Sequence, residues 1–188
     1  CLETFLTKIG LTESFDLMGY SLGGSIATNY VVRNPSNVNR LVLLAPYYYN
    51  EATTETYNAL FESKQWSSLA AWEGREEMQN WFQDGLGLVD EDMLPSFIMS
   101  GLAALRSEYY PEGHWVKFYD QLYVDCSSTK HFLEDNKASL AALSSPVLVL
   151  AATTDKICDC EKLANLKSIF NPDLFSIKNL DAGHYFAP

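Results

Sequence analysis

The chain has 188 residues, with 24 acidic side chains against 13 basic ones, a formal net charge of −11 and a pI of about 4.6. That balance excludes a nucleic-acid binder, which holds phosphates with clustered Lys and Arg, and it argues against electrostatic docking on anionic membranes. Hydrophobic residues make up 47% of the chain, enough at this length for a substantial core. No apolar run reaches the length of a transmembrane helix, so no integral membrane segment is expected, and no signal peptide is visible.

In chain order, Leu2, Phe5, Leu6 and Ile9 recur at helical spacing and predict a short amphipathic helix. Ser14 to Met18 reads as the end of a strand, with Phe15 and Leu17 apolar. Gly19-Tyr20-Ser21-Leu22-Gly23 follows directly. A serine with glycines two residues away on either side suits a sharp strand-to-helix turn that lifts its hydroxyl above a sheet edge. Gly19 and Gly23 are expected to be places where a Cβ would collide with a neighbouring strand or helix. The same pentapeptide pattern occurs in ordinary loops, so its weight comes from the strand before it and the helix after it. In that helix Leu22, Ile26, Ala27, Tyr30 and Val31 share one face, small Gly24 and Ala27 permit close packing on the sheet, and Asn34-Pro35 ends the run.

Arg40 to Ala45 reads as the next strand, continuously apolar at Leu41-Val42-Leu43-Leu44. The pattern then changes until Leu140. Aromatic and apolar stripes at helical spacing include Trp66, Leu69 and Trp72, then Met78, Trp81 and Phe82, then Phe97, Ile98, Leu102 and Leu105, then Trp115, Phe118, Tyr119 and Leu122. They predict an all-helical insert without a buried parallel strand. Tyr47-Tyr48-Tyr49 open the insert just past a strand end. Tyr47 and Tyr48, with Tyr20 beside the serine, are candidates to line a substrate pocket, and packing between insert and core explains the tyrosine run equally well.

Val147-Leu148-Val149-Leu150 is a second doubly buried strand, and Asp155 lies just past its C-terminal end. Asp159 is a rival acid, better placed as the cap of the helix predicted from Glu161 to Phe170, where Leu163, Leu166 and Phe170 share a face. Leu174, Phe175, Ile177 and Leu180 suggest a last strand, followed at once by Asp181-Ala182-Gly183-His184. A serine hydroxyl hardly ionises at neutral pH, so it needs a base to take its proton, and a histidine oriented by a carboxylate is the usual one. Of the three histidines, His114 and His131 fall in the insert and read as solvated helix residues, whereas His184 follows a strand end. The four cysteines form no metal set, since Cys158 and Cys160 are Cys-x-Cys without a close histidine and Cys1 and Cys126 stand alone. Neither a metal nor an organic cofactor is expected, a Cys158–Cys160 disulfide would be strained, and free thiols favour a cytoplasmic protein.

The pentapeptide at 19–23, the strand-Asp block from Pro146 to Asp155 and Gly183-His184 together resemble the capped, serine-nucleophile branch of the α/β-hydrolase superfamily. The resemblance implies an α/β fold: part of a parallel sheet in residues 1–46 and 141–188, interrupted by a helical cap over 47–140. It implies Ser21 as nucleophile, His184 as general base and acid, Asp155 as the orienting carboxylate and the backbone N–H of Leu22 as an oxyanion donor. The reaction implied is hydrolysis of a small-molecule ester through an acyl-enzyme. The same layout also fits a proline-iminopeptidase-like amide hydrolase, a carbon–carbon bond hydrolase or a ligand-binding member without turnover. Relative to the family, the strands before the pentapeptide, the early oxyanion loop and the final helix are absent. The chain therefore reads as a fragment whose isolated form is expected to be poorly soluble or inactive, with a minimal or degenerate member as the alternative.

Overall fold

The structure is a computed structural model that describes residues 2–11, 13–48, 131–155 and 158–184. The chain divides into two compact units, Cys1–Tyr48 with His131–Pro188, and Tyr49–Lys130. The aromatic stripes of the insert, Tyr49 and His114 lie outside the described residues.

In the first unit, helix α1 (Leu2–Lys8) leads to strand β1 (Phe15–Tyr20) and then to helix α2 (Leu22–Arg33). A turn of 3-10 helix (Pro35–Asn37) precedes β2 (Val38–Leu44). After the second unit come two short helices, α3 (Phe132–Asp135) and α4 (Lys137–Ala141), then β3 (Val147–Ala152). Helix α5 (Cys160–Ala164) runs into a 3-10 turn (Asn165–Ser168) before β4 (Phe175–Leu180). His131 stands at the N-cap of α3.

The four strands form one parallel sheet in the order β1-β2-β3-β4. Parallel strands carry their C-terminal ends to the same edge, and Tyr20, Leu44, Leu150 and Lys178 lie in register across it. Everything that follows β1, β2, β3 and β4 therefore starts from one rim. Along the strands, Leu41 and Leu43 of β2 and Val147 and Val149 of β3 form the wholly buried rows, while the alternate residues Val42, Leu44, Leu148 and Leu150 are half-buried. Gly19 shares a row with Leu43 and Val149, on the face against which α2 packs. Phe170 stacks on Phe175 of β4 with centroids 5.5 Å apart and closes the same layer at the other edge.

The sequence pattern accounts for most of these elements. Helix α2 stops where Asn34-Pro35 predicts, with Asn34 as its C-cap. Of its expected apolar face, Ala27, Tyr30 and Val31 are buried, but Ile26 is half exposed, since position 26 points past the edge of the packed stripe. In α1 only Leu6 is buried; Phe5, and Ile9 just past the helix end, are exposed. The expected helix from Glu161 to Phe170 is one turn of α-helix continued as 3-10. Leu163, Leu166 and Phe170 are still buried, because positions three and four apart stay on one side in this short run. Asp159 caps α5, accepting from the backbone N–H groups of Glu161 and Lys162.

Candidate active site

Ser21 sits between β1 and α2 with φ 51° and ψ −124°, a backbone conformation that L side chains rarely adopt. Its surroundings enforce it. The Ser21 N–H donates to the Leu44 carbonyl at 3.0 Å, and the Ser21 carbonyl accepts from both Gly24 N–H and Tyr47 N–H at 2.8 Å. Strand β2, the loop after it and the first turn of α2 thus grip one residue from three directions. A second positive φ, 38° at Ala45, turns the chain just past β2 so that Pro46 and Tyr47 reach this position.

Small residues make the grip possible. A Cβ on Gly19 would run into the Gly23 carbonyl and lie 2.8 Å from the Ala27 Cβ. The expectation for Gly23 is corrected, because a Cβ there meets nothing within 4 Å among the described residues. The crowded position is Gly24 instead, where a Cβ would lie 2.5 Å from the Pro46 Cβ and 2.8 Å from its Cα. The reason is geometric: the helix touches the tip of β2 with its third residue, and its second faces away from it.

Three loops at the C-terminal rim bring Ser21, His184 and Asp155 together. The His184 Nε2 lies 3.0 Å from the Ser21 Oγ, and the His184 Nδ1 lies 2.8 Å from the Asp155 Oδ2. The Asp155 side chain is fully buried and His184 nearly so. The second carboxylate oxygen, Oδ1, accepts from the Cys158 backbone N–H at 2.8 Å. A carboxylate only accepts, so the proton between the pair sits on Nδ1 and leaves Nε2 as an acceptor facing the serine hydroxyl. That arrangement can move a proton off Ser21 and hold the resulting imidazolium.

The remaining candidates fall around this line. Leu22 is the first residue of α2, so its N–H is one of the first-turn donors without a partner inside the helix. Tyr20 ends β1, its hydroxyl donates to the His184 carbonyl at 3.0 Å, and its ring faces the imidazole with centroids 5.3 Å apart. Tyr47 is buried, and its carbonyl accepts from the Ser25 hydroxyl. The Tyr48 hydroxyl pairs with Thr28 Oγ1 of α2 at 2.7 Å, and burial pushes that phenol well above its ordinary range.

Two features of this site escape motif reading. One is the Cys158 N–H on Asp155, for which the only signal is a donor three residues beyond an Asx side chain. The other is the contact of Tyr20 with His184, which joins positions 164 residues apart. Cys158 and Cys160 are free thiols. One donor atom each from Asp155, Cys158 and His184 lie within 4.8 Å of one another, which is cation-site spacing. Burial, and then the Asp155 charge, push the Cys158 thiol strongly up.

Among the described residues, no helix is long and apolar enough to cross a membrane. No curated protein matches the chain by sequence. Solved structures do match it in fold. The 2-hydroxy-6-oxo-6-phenylhexa-2,4-dienoate hydrolase of Rhodococcus sp. strain RHA1 gives a TM-score of 0.67 at 15% identity, over 96% of this chain and 60% of that one. An esterase from Exiguobacterium antarcticum gives 0.65 at 17% identity, over 97% and 64%. A thermophilic esterase from Thermogutta terrifontis gives 0.62 at 20% identity, over 97% and 62%. The chain thus spans 60–64% of the length of these three structures. The sequence profile of the alpha/beta hydrolase fold matches residues 1–187, and with a parallel sheet that carries Ser21, Asp155 and His184 on one rim, the chain belongs to the α/β-hydrolase-fold family.

Proposed function

We propose that this chain carries the nucleophile, acid and base of a serine hydrolase that cleaves a small-molecule ester. The observation that carries the reading is the unbroken line from Ser21 Oγ to His184 Nε2 and from His184 Nδ1 to Asp155, starting from a serine held at positive φ.

The Ser21 hydroxyl attacks the ester carbonyl while His184 Nε2 takes its proton. Asp155 stabilises the imidazolium through Nδ1–H without accepting the proton itself. The negative charge that develops on the carbonyl oxygen is met by the Leu22 N–H at the start of α2, where the helix dipole also favours an anion. Collapse of the tetrahedral intermediate breaks the ester bond, and His184 returns the proton to the leaving alkoxide. Water then repeats the sequence against the acyl-Ser21 ester, releasing the acid and restoring the hydroxyl. A serine at the turn, rather than an aspartate, supports acyl transfer over epoxide opening or dehalogenation. The Exiguobacterium and Thermogutta neighbours are esterases, which favours an ester over an amide as the first substrate to try.

The test is labelling of the chain, and of any longer protein that contains it, with a fluorophosphonate probe. Labelling that disappears in Ser21→Ala, with hydrolysis of a short p-nitrophenyl ester lost in parallel by at least about 10³-fold, is the expected result. Absence of labelling in every form, or labelling that survives Ser21→Ala, rules the reading out.

A further inference from the structure

We infer that Tyr20 is a positioning residue that holds the histidine loop over the nucleophile; the inference rests on the hydrolase reading above and deepens it. Ser21 follows β1 and His184 follows β4, and these strands are the two ends of the order β1-β2-β3-β4. Neighbouring strands lie about 4.8 Å apart, so three intervals put the tips of β1 and β4 about 14 Å from each other. Only Asp181, Ala182 and Gly183 separate Leu180, the last residue of β4, from His184. Four Cα steps reach about 14 Å at full extension. The loop is short against that gap, and the Tyr20 and His184 side chains bridge the remainder.

Its path is marked by hydrogen bonds. At its start, Thr153 N–H donates to the Leu180 carbonyl at 2.9 Å, and one step on Thr154 N–H donates to the Ala182 carbonyl at 3.1 Å. Both anchors are on the extension of β3. At the far end the Tyr20 hydroxyl, from the last residue of β1, donates to the His184 carbonyl at 3.0 Å. This bond ties the histidine's own backbone to the strand that carries the nucleophile. The Tyr20 ring then lies against the imidazole, tilted by 34°, which limits its rotation about the Cβ–Cγ bond. The contact also places an aromatic ring within 6 Å of a group that becomes a cation during the reaction, a favourable pairing. Tyr20 thereby acts through His184, on both its backbone and its ring, and needs no contact with substrate to do so.

The test uses Tyr20→Phe, which keeps the ring and removes the hydroxyl, and Tyr20→Leu, which removes both. Two readouts are taken on the full chain: the rate of fluorophosphonate labelling, and the proton NMR signal of the His184 Nδ1–H shared with Asp155. Loss of one hydrogen bond from the loop shifts its population by a factor of about three to ten. Tyr20→Phe is expected to slow labelling by that factor and to broaden the Nδ1–H signal, with an unchanged unfolding midpoint. Tyr20→Leu is expected to slow labelling further and to erase the signal. Parent-like labelling and a parent-like Nδ1–H signal in Tyr20→Phe overturn the inference. The two ideas fail differently: a shared proton in the parent with no labelling of the chain or of any longer protein that contains it refutes the hydrolase reading, while the NMR comparison still decides the role of Tyr20.

Discussion

The contrast between Gly23 and Gly24 gives a test of how the nucleophile turn is built. Substituting Gly24 by Ala puts a carbon 2.5 Å from the Pro46 Cβ and 2.8 Å from its Cα. Carbons sit comfortably at about 3.5–4.0 Å, so about 1 Å must open between the first turn of α2 and the tip of β2. Pro46 cannot yield easily, being fully buried between Ala45 at positive φ and Tyr47, whose N–H is bonded to the Ser21 carbonyl. The helix start moves instead, and Ser21 moves with it. Overpacking of this kind costs about 1–3 kcal/mol. Replacing a helical glycine by alanine also gains about 1 kcal/mol of helix propensity, which masks part of the cost. Gly23→Ala carries the same gain and meets nothing within 4 Å among the described residues, so it is the matched control. The difference between the two variants removes the propensity term and isolates the clash. Urea unfolding should place Gly24→Ala about 1–3 kcal/mol below Gly23→Ala. Fluorophosphonate labelling should fall by as much as about 10²-fold in Gly24→Ala, the scale expected for a 1 Å misplacement of a reacting group. Equal stability and equal labelling in the two variants would refute the close approach of α2 to Pro46.

Two further substitutions probe the acid. Asp155→Asn offers the imidazole an amide that can donate where the carboxylate only accepts, which favours the wrong tautomer; labelling and ester hydrolysis should drop on the order of 10⁴-fold, and a loss of less than tenfold would remove Asp155 from the role. Cys158→Ala keeps the backbone N–H that Asp155 uses but removes a thiol that burial and the Asp155 charge push upward. Because the folded chain holds that proton more tightly than the unfolded chain, the stability linked to it is complete below the ordinary cysteine value of about 8.5 and is lost as pH rises above it. Urea midpoints measured at pH 7.5 and pH 10 should therefore fall less in Cys158→Ala than in the parent, and parallel losses would contradict the assignment.

What could be read from the sequence and what could not follows from the range of the interactions. The strand at 147–152, the helix at 22–33 and its stop at Asn34 are encoded by local apolar runs and by a proline, so pattern finds them. Ser21, Asp155 and His184 were legible because each stands a fixed few residues past a strand end, and a parallel sheet sends all such ends to one rim. The Gly23 expectation failed because spacing around a serine does not say which glycine faces the neighbouring strand; that depends on how α2 is rotated about its axis. The positive φ of Ala45 leaves no trace in composition, since it is imposed by the Ala45 N–H bond to Leu150 and the Tyr47 N–H bond to Ser21. Exposure of Phe5, Ile9 and Ile26 was equally invisible, because periodicity defines a face without showing how wide its partner is.

The site combines two kinds of restraint. Ser21 is held through its backbone: its amide and carbonyl are both bonded to main-chain partners on β2, the following loop and α2, and among the described residues its side chain pairs with His184. Under the proposed function, a serine held this way keeps its direction while the hydroxyl changes partners. His184 is held mainly through side chains, by the Asp155 carboxylate at Nδ1 and by Tyr20 at its carbonyl and ring. The Asp155 oxygens are divided between that imidazole and the Cys158 N–H, so neither is left unpartnered in a fully buried position, where an unpaired carboxylate oxygen would be costly. In the proposed mechanism a base that accepts, holds and returns a proton needs such adjustable contacts, whereas an attacking serine needs a rigid frame. Disturbing the frame should therefore lower stability and rate together, as for Gly24→Ala, while removing the Tyr20 hydroxyl should lower rate with little loss of stability.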